Sequence, residues 1–397
     1  MTEATAPRTA RLPSLTALRF VAAFLVFACH AEFLGVFSDA TVQSKYTFIA
    51  NNGGAIGVSF FFVLSGFVLT WVARSSDTRG QFWRRRFVKI FPSHVVVWVL
   101  IVATFVVGGT QTKVGPAIAN LFLVNAWVPS MNNLDYAVNG VTWSLSAEIG
   151  FYILFPFLIV VINKIRPGQL WYWAVGVAGL SLSIPVLSKA FLPDSPTFPG
   201  FDGFSWPQMW FADQFPLVRC LEFVVGILFA RIVLSGRWVR IGLMPAALLV
   251  VAVYVPTMWL PQLWTFAAPY SFPVGLLVAA AAASDVAGRR TVLTHRSAVW
   301  LGEISYAFFL IHLSVLHAAQ AAFKGEWMGY GDYDPTSWNT PVAVLFLLGC
   351  LAASIFLSWL LYRFVEVPAM RKWARPRSRR LAPAVPSDEV NAPAITG

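Results

Sequence analysis

Two residues could do chemistry where chemistry is costly. Arg19 and His30 lie in the apolar stretch 15–33, LTALRFVAAFLVFACHAEF. An ionisable side chain at bilayer depth costs roughly 2.5–3.5 kcal/mol on insertion scales, so it faces a polar interior and usually has a function. Eleven residues of helix return almost to the starting direction, about 16 Å further along the axis. One helix face would then carry a guanidinium near one membrane surface and an imidazole deeper in. An imidazole titrates near neutrality and can serve as a general base. The plain reading of His30 is a packing histidine bonded to a neighbouring carbonyl, and Arg19 on the same face weighs against it. Glu32 points elsewhere and reads as an interfacial carboxylate.

Five further stretches carry candidates. In 57–70, GVSFFFVLSGFVLT, Ser65 could be an acyl-enzyme nucleophile. It lacks the Gly-x-Ser-x-Gly elbow, and a Ser-Gly pair in mid-span also lets helices approach closely, which is the favoured role. In 82–94, FWRRRFVKIFPSH, the residues Arg84, Arg85, Arg86 and Lys89 exceed what orientation in a membrane needs. Arg grips phosphate with a bidentate fork and Lys as a point charge, so a phosphorylated donor is one reading and an anionic-lipid anchor the other. Pro92 sets a kink or a helix start. In 141–156, VTWSLSAEIGFYILFP, Glu148 follows Trp143 and Ser144 and needs a partner, His30 or an arginine. A carboxylate that orients an imidazole is a recurring catalytic arrangement, with a structural ion pair as the alternative. In 215–231, Arg219 and Glu222 sit at i,i+3 and can offset each other, which favours a structural role over substrate contact. In 301–313, LGEISYAFFLIHL, Ser305 and His312 share a face beside Tyr306, to line a cavity or to hold helices together. No metal-ligand spacing, Walker loop or Rossmann glycine pattern is visible, so histidine-based acyl transfer fits better than metal hydrolysis or nucleotide chemistry.

The elements that position these residues follow from composition. The 397-residue chain is 57% hydrophobic and 12% charged, whereas soluble domains have about 25% charged residues. An all-α polytopic membrane protein is expected. Apolar windows of about 20 residues fall near 15–37, 53–73, 88–109, 139–162, 170–188, 215–234, 240–260, 264–284, 299–320 and 341–365, giving a bundle of about ten transmembrane helices. The segment 117–129 is too short to span alone and reads as re-entrant or interfacial. Arg8 and Arg11 before an apolar run resemble a signal peptide, but Arg19 and His30 interrupt the run and no clean cleavage site follows. With both termini cytoplasmic, 23 of the 29 basic residues fall on the inner side and only Lys45, Lys113, Lys189 and Lys324 outside, as the positive-inside rule requires. That distribution accounts for the net charge of +11 through topology and membrane-lipid contact, with no nucleic acid partner. Three scattered cysteines make neither a disulfide framework nor a metal site. The outer loops 110–138, 189–214 and 321–340 either cap an outward cavity or simply connect spans. The chain divides into an N-terminal cytoplasmic segment 1–14, a membrane domain 15–370 and a basic, Pro-rich tail 371–397 expected to be disordered.

The ordered motifs resemble the acyltransferase 3 family of integral-membrane O-acyltransferases. They are LTALRFVAAFLVFACH, FFFVLSGF, RRRFVKIFP, WSLSAEIGFYILFP, RCLEFVVGILFAR with Gly226, and LGEISYAFFLIH, spread over about 12–370. Each is weak alone; six in the family's order are specific. The resemblance implies about ten helices, a cytoplasmic acyl-CoA (often acetyl-CoA) as cosubstrate with no permanently bound cofactor, and acylation of a hydroxyl. It implies that His30 is the essential histidine and that Arg19 and the basic run serve the donor. One departure is plain: the family commonly has Arg-x-x-Arg-Ile-x-Pro, and here Lys89 replaces the second Arg, keeping charge and losing the fork. Some relatives add an SGNH-type hydrolase domain; none is present in this sequence, so the membrane domain is expected to act alone or with a separate partner. The opening LPSLTALRFVAAFLVF and the Ala/Val/Arg-rich composition resemble actinobacterial members, some of which acylate macrolide sugars or lactone hydroxyls while others decorate envelope glycans.

The expected mechanism has Arg84, Arg85, Arg86 and Lys89 holding the CoA phosphates with help from Arg19. His30 removes the acceptor proton and Glu148 orients it. A proton-coupled exporter is the rival class, but its usual inverted repeat with broken helices is not visible. A scaffold would leave the buried ionisable set unexplained.

Overall fold

The computed structural model describes residues 11–73, 77–108, 112–135, 137–197, 203–266, 269–324 and 337–374. Most of the N-terminal segment, Arg74 and the tail from 375 lie outside the described residues. The ten principal helices are α1 (Pro13–Glu32), α2 (Gly53–Trp71), α3 (Arg79–Gly108), α4 (Thr142–Ile162), α5 (Leu170–Phe191), α6 (Pro216–Leu234), α7 (Leu243–Thr257), α8 (Ser271–Val286), α9 (Arg296–Lys324) and α10 (Thr340–Leu361). Each overlaps one of the apolar windows. Among the described residues no strand forms beyond two isolated bridges, Phe37–Trp338 and Thr197–Ser205.

Among the described residues, seven helical segments are long and apolar enough to cross a membrane. The other three of the ten principal helices fall short for visible reasons. Helix α6 has 19 residues but carries Arg219, Glu222 and Arg231. Helices α7 and α8 have 15 and 16 residues, about 22–24 Å at 1.5 Å per residue, against a hydrocarbon core of about 30 Å. Outward faces are apolar, as at Val107, Leu248, Leu345 and Phe356, which suits lipid contact. The chain is a helical membrane protein.

Small residues set the closest crossings. A Cβ on Gly66 would stand 2.0 Å from the Phe223 carbonyl oxygen, and one on Gly226 would stand 1.9 Å from that of Val63. Helices α2 and α6 therefore touch backbone to backbone. A Cβ on Gly302 would meet the Thr16 oxygen at 1.8 Å, so α9 crosses α1 just as closely. The start of α1 has Pro13 in its first turn, and its free amide ends are met by Asp285: the Ser14 N–H and hydroxyl donate to that carboxylate at 2.9 and 2.6 Å, a favourable placement for an anion at a helix N-terminus.

The start of α3 meets the short helix Val367–Trp373 that follows α10, and the end of α4 meets that of α6. Arg84 Nε donates to the Trp373 carbonyl at 2.9 Å, and Arg231 to the Asn163 side chain at 2.6 Å.

One expectation changes, and one open alternative narrows. Helix α3 begins at Arg79 and runs 30 residues, so the basic run is helical and Pro92 lies inside the helix instead of starting it. The segment 117–129 folds back into the bundle as the short helix Val114–Leu121 and the turn Asn125–Trp127. His94 Nε2 lies 3.1 Å from the carbonyls of Asn120 and Leu121, and Asn120 donates to Thr142 Oγ1 at 2.7 Å.

Candidate active site

His30 lies in the last turn of α1. Its Nδ1 is 2.8 Å from Nε2 of His312 on α9. His312 is fully buried, and its Nδ1 is 3.1 Å from the Phe308 carbonyl oxygen one turn earlier. Phe27 and Phe309 pack against His312 at ring-centroid distances of 6.3 and 5.9 Å. Glu32 is not an open interfacial carboxylate: it is buried and accepts a 2.6 Å hydrogen bond from Thr47, on the helix Ala40–Ala50, which no apolar window covers.

Eleven residues back along α1, Arg19 lines a cavity of about 160 Å³ together with Arg86, Lys89, Ser65, Glu148 and Tyr152. Phe61 and Phe309 also line it. Their rings stand 5.7 Å apart. Phe309 thus faces the cavity and also touches the histidine pair. Arg19 and Lys89 further line a second, more open cleft of about 440 Å³ with Glu303, Glu366 and Arg371.

The structure gives Glu148 other partners than His30. Ser65 donates to Glu148 Oε1 at 3.2 Å and Tyr152 donates at 2.5 Å, while the His30 ring turns to His312. The reading of Glu148 as the group that orients His30 is therefore corrected: in the apolar core the imidazole meets a second imidazole. Ser65 and Gly66, read together as a packing pair, divide their roles. Gly66 makes the helix crossing and Ser65 faces the cavity.

The basic run also divides. Lys89 pairs with Glu366 and stacks its ammonium 5.6 Å from the Tyr306 ring, while Arg86 lies 5.7 Å from the ring of Phe82. Both line the cavity. Arg84 and Arg85 do not. Arg84 holds the Trp373 carbonyl, and Arg85 forms a bidentate pair with Asp77 at 2.5 and 3.2 Å.

The remaining candidates are placed as follows. Arg219 is fully buried between Asp213 at 3.2 Å and Glu222 at 2.9 Å, with the Phe62 and Trp143 rings 5.0 and 5.8 Å from its guanidinium carbon. Burial pushes the Asp213 carboxyl up to about 6 against the pull of Arg219. Ser144 lines the cavity but donates to its own helix at Val141. Ser305 donates to Gly302 in α9 at 2.7 Å and takes no share in the cavity. Tyr306 lines it while donating to the Ile90 carbonyl at 2.8 Å. The face shared by Ser305 and His312 thus serves packing at one position and the histidine pair at the other.

Sequence reasoning missed Tyr152, Asp213 and Glu366. Tyr152 is four residues from Glu148, a spacing that puts both on one helix face, so it was readable. Glu366 meets Lys89 across 277 positions, and no local spacing points to it.

The family model for the acyltransferase domain matches residues 12–363. The chain is 38% identical to acyltransferase MdmB of Streptomyces mycarofaciens over 98% of its own length and 99% of that protein. It is 31% identical to the peptidoglycan O-acetyltransferase OatA of Listeria monocytogenes over 43% of this chain and 28% of that one. It is 25% identical to the putative peptidoglycan O-acetyltransferase YrhL of Bacillus subtilis over 93% and 56%. No solved structure matches. With the motifs in order, the helices in place and almost the whole chain matched, the protein belongs to the acyltransferase 3 family and is a membrane O-acyltransferase.

Proposed function

We propose that the protein moves an acetyl group from cytoplasmic acetyl-CoA to a hydroxyl of a sugar or macrolide-like small molecule. The observation that carries this reading is that Arg19 and Lys89 line both the inner cavity and the open cleft. The open cleft, with Arg371 as a third cation, takes the CoA phosphates. The inner cavity takes the end of the pantetheine arm, and Phe309 brings the thioester beside the histidines. His30 removes the acceptor proton, the oxygen attacks the thioester carbonyl, and the carbon–sulfur bond breaks as the thiolate recovers the proton from His30. Ten spans, cytoplasmic termini and a membrane domain over 15–370 belong to the same reading, with the basic end of the bundle inside.

The full-length likeness to MdmB favours a small acceptor. The likeness to peptidoglycan O-acetyltransferases supports the second reading, envelope polysaccharide. The test is purified protein in lipid nanodiscs with radiolabelled acetyl-CoA and two acceptor sets, macrolide glycosides and peptidoglycan fragments. Label is expected in the glycosides and absent with His30→Ala. Label only in the polymer selects the second reading, and full transfer by a folded His30→Ala protein overturns the base.

A further inference from the structure

We infer that His312 is a positioning residue that fixes the tautomer of His30 and leaves His30 Nε2 as the basic nitrogen. This rests on His30 being the base. The starting point is the Phe308 carbonyl, which can only accept. With 3.1 Å between them, His312 Nδ1 carries the hydrogen and donates it. A neutral His312 then has its lone pair on Nε2. That atom is the one 2.8 Å from His30 Nδ1, so His30 Nδ1 carries the hydrogen in turn. Its lone pair is left on Nε2, the nitrogen this chain of hydrogen bonds does not use.

The ring geometry agrees. The two planes are within 9° and the centroids 5.1 Å apart, with the facing nitrogens at only 2.8 Å. The rings therefore lie edge to edge in nearly one plane, so an N–H aims at an in-plane lone pair. Packing holds this register. Phe308 stacks on His312 at 5.7 Å and 11° and meets Phe20 and Phe27 of α1 at 5.3 and 5.9 Å. The close crossing at Gly302 pins α9 to α1. The arrangement does for His30 what a carboxylate does in a catalytic triad, orientation and choice of tautomer, but with a neutral group. No charge has to be buried beside the base before the proton moves. During transfer the acceptor hydroxyl gives its proton to Nε2. The resulting imidazolium keeps its Nδ1–H···Nε2 bond to His312, and the proton leaves again from Nε2 to the CoA thiolate.

The experiment compares His312→Leu with His312→Gln, whose amide oxygen can still accept from His30 Nδ1. The Leu protein should lose about 100-fold in kcat, the lower end of what a positioned general base contributes, with the KM for acetyl-CoA unchanged. The Gln protein should recover most of that loss. Equal losses in both, or a loss in KM instead of kcat, overturns the inference. A second readout needs no variant to fold: ¹⁵N-histidine spectra of the wild-type protein in nanodiscs should show His30 protonated on Nδ1 and bare on Nε2. The opposite tautomer overturns the inference. Because the spectrum is read without turnover, failure here is distinct from failure of His30 as base, which the activity of His30→Ala reports.

Discussion

Arg19 and Arg219 are both arginines inside apolar helices, and the fold treats them in opposite ways. Arg219 is closed in by Asp213, Glu222 and two aromatic rings and has no exposed surface. Arg19 is half-buried and lines both cavities with Lys89, the inner one also with Arg86. The cost of burying charge is common to both. What differs is whether the compensating groups are the protein's own or must come from a ligand. Removing one member of a buried ionic cluster leaves the others uncompensated and costs about 3–5 kcal/mol. Arg219→Met should therefore lower stability by that amount, the largest effect expected here, measured as a fall in melting temperature in detergent. Adding Asp213→Asn and Glu222→Gln should restore much of it. If Arg219→Met melted normally but raised the KM for acetyl-CoA, Arg219 would be a binding residue and the contrast would fail.

The converse holds for the open cluster. A hydrogen bond to a charged group is worth about 1.5–3 kcal/mol, so Arg19→Gln and Arg86→Gln should each raise the KM for acetyl-CoA roughly 10–100-fold with little change in melting temperature. Kinetics against acetyl-CoA concentration check this. A large stability loss with unchanged KM would place Arg19 with Arg219 as a structural charge.

The helices were legible because each leaves a hydrophobic window longer than any soluble core helix needs. The start of α3 was not. Residues 79–87 carry Arg79, Arg84, Arg85 and Arg86, so hydropathy excludes them although they are helical. Pairing within one helix was readable in principle, as for Glu148 and Tyr152. Pairing between helices was not. Periodicity assigns a residue to a face, but which helix that face meets depends on tertiary packing, so His30 was given Glu148 as partner and instead has His312, 282 positions away. Close crossings were half legible: Ser65-Gly66 marked an approach, and only the structure shows that Gly226 receives it.

The smallest expected effect tests the contrast most finely, because it separates adjacent residues. Arg85 and Arg86 are equivalent in the sequence, both inside a run of three arginines. A helix turns about 100° between them, which sends Arg86 to the cavity and Arg85 to Asp77. The Arg85 pair is partly exposed, 26% and 21% for the two side chains, and such pairs are worth about 0–1 kcal/mol. Arg85→Gln should leave the KM for acetyl-CoA within about twofold and stability within about 1 kcal/mol, while Arg86→Gln shows its full effect. Steady-state kinetics and melting of the two proteins side by side decide it. Equal rises in KM for both would mean that phosphate is held by the net charge of the run at the membrane surface, where helix rotation does not matter. Unequal ones mean that the donor reads the face of α3 that Arg86 and Lys89 share, three residues apart, with Arg19 across from them.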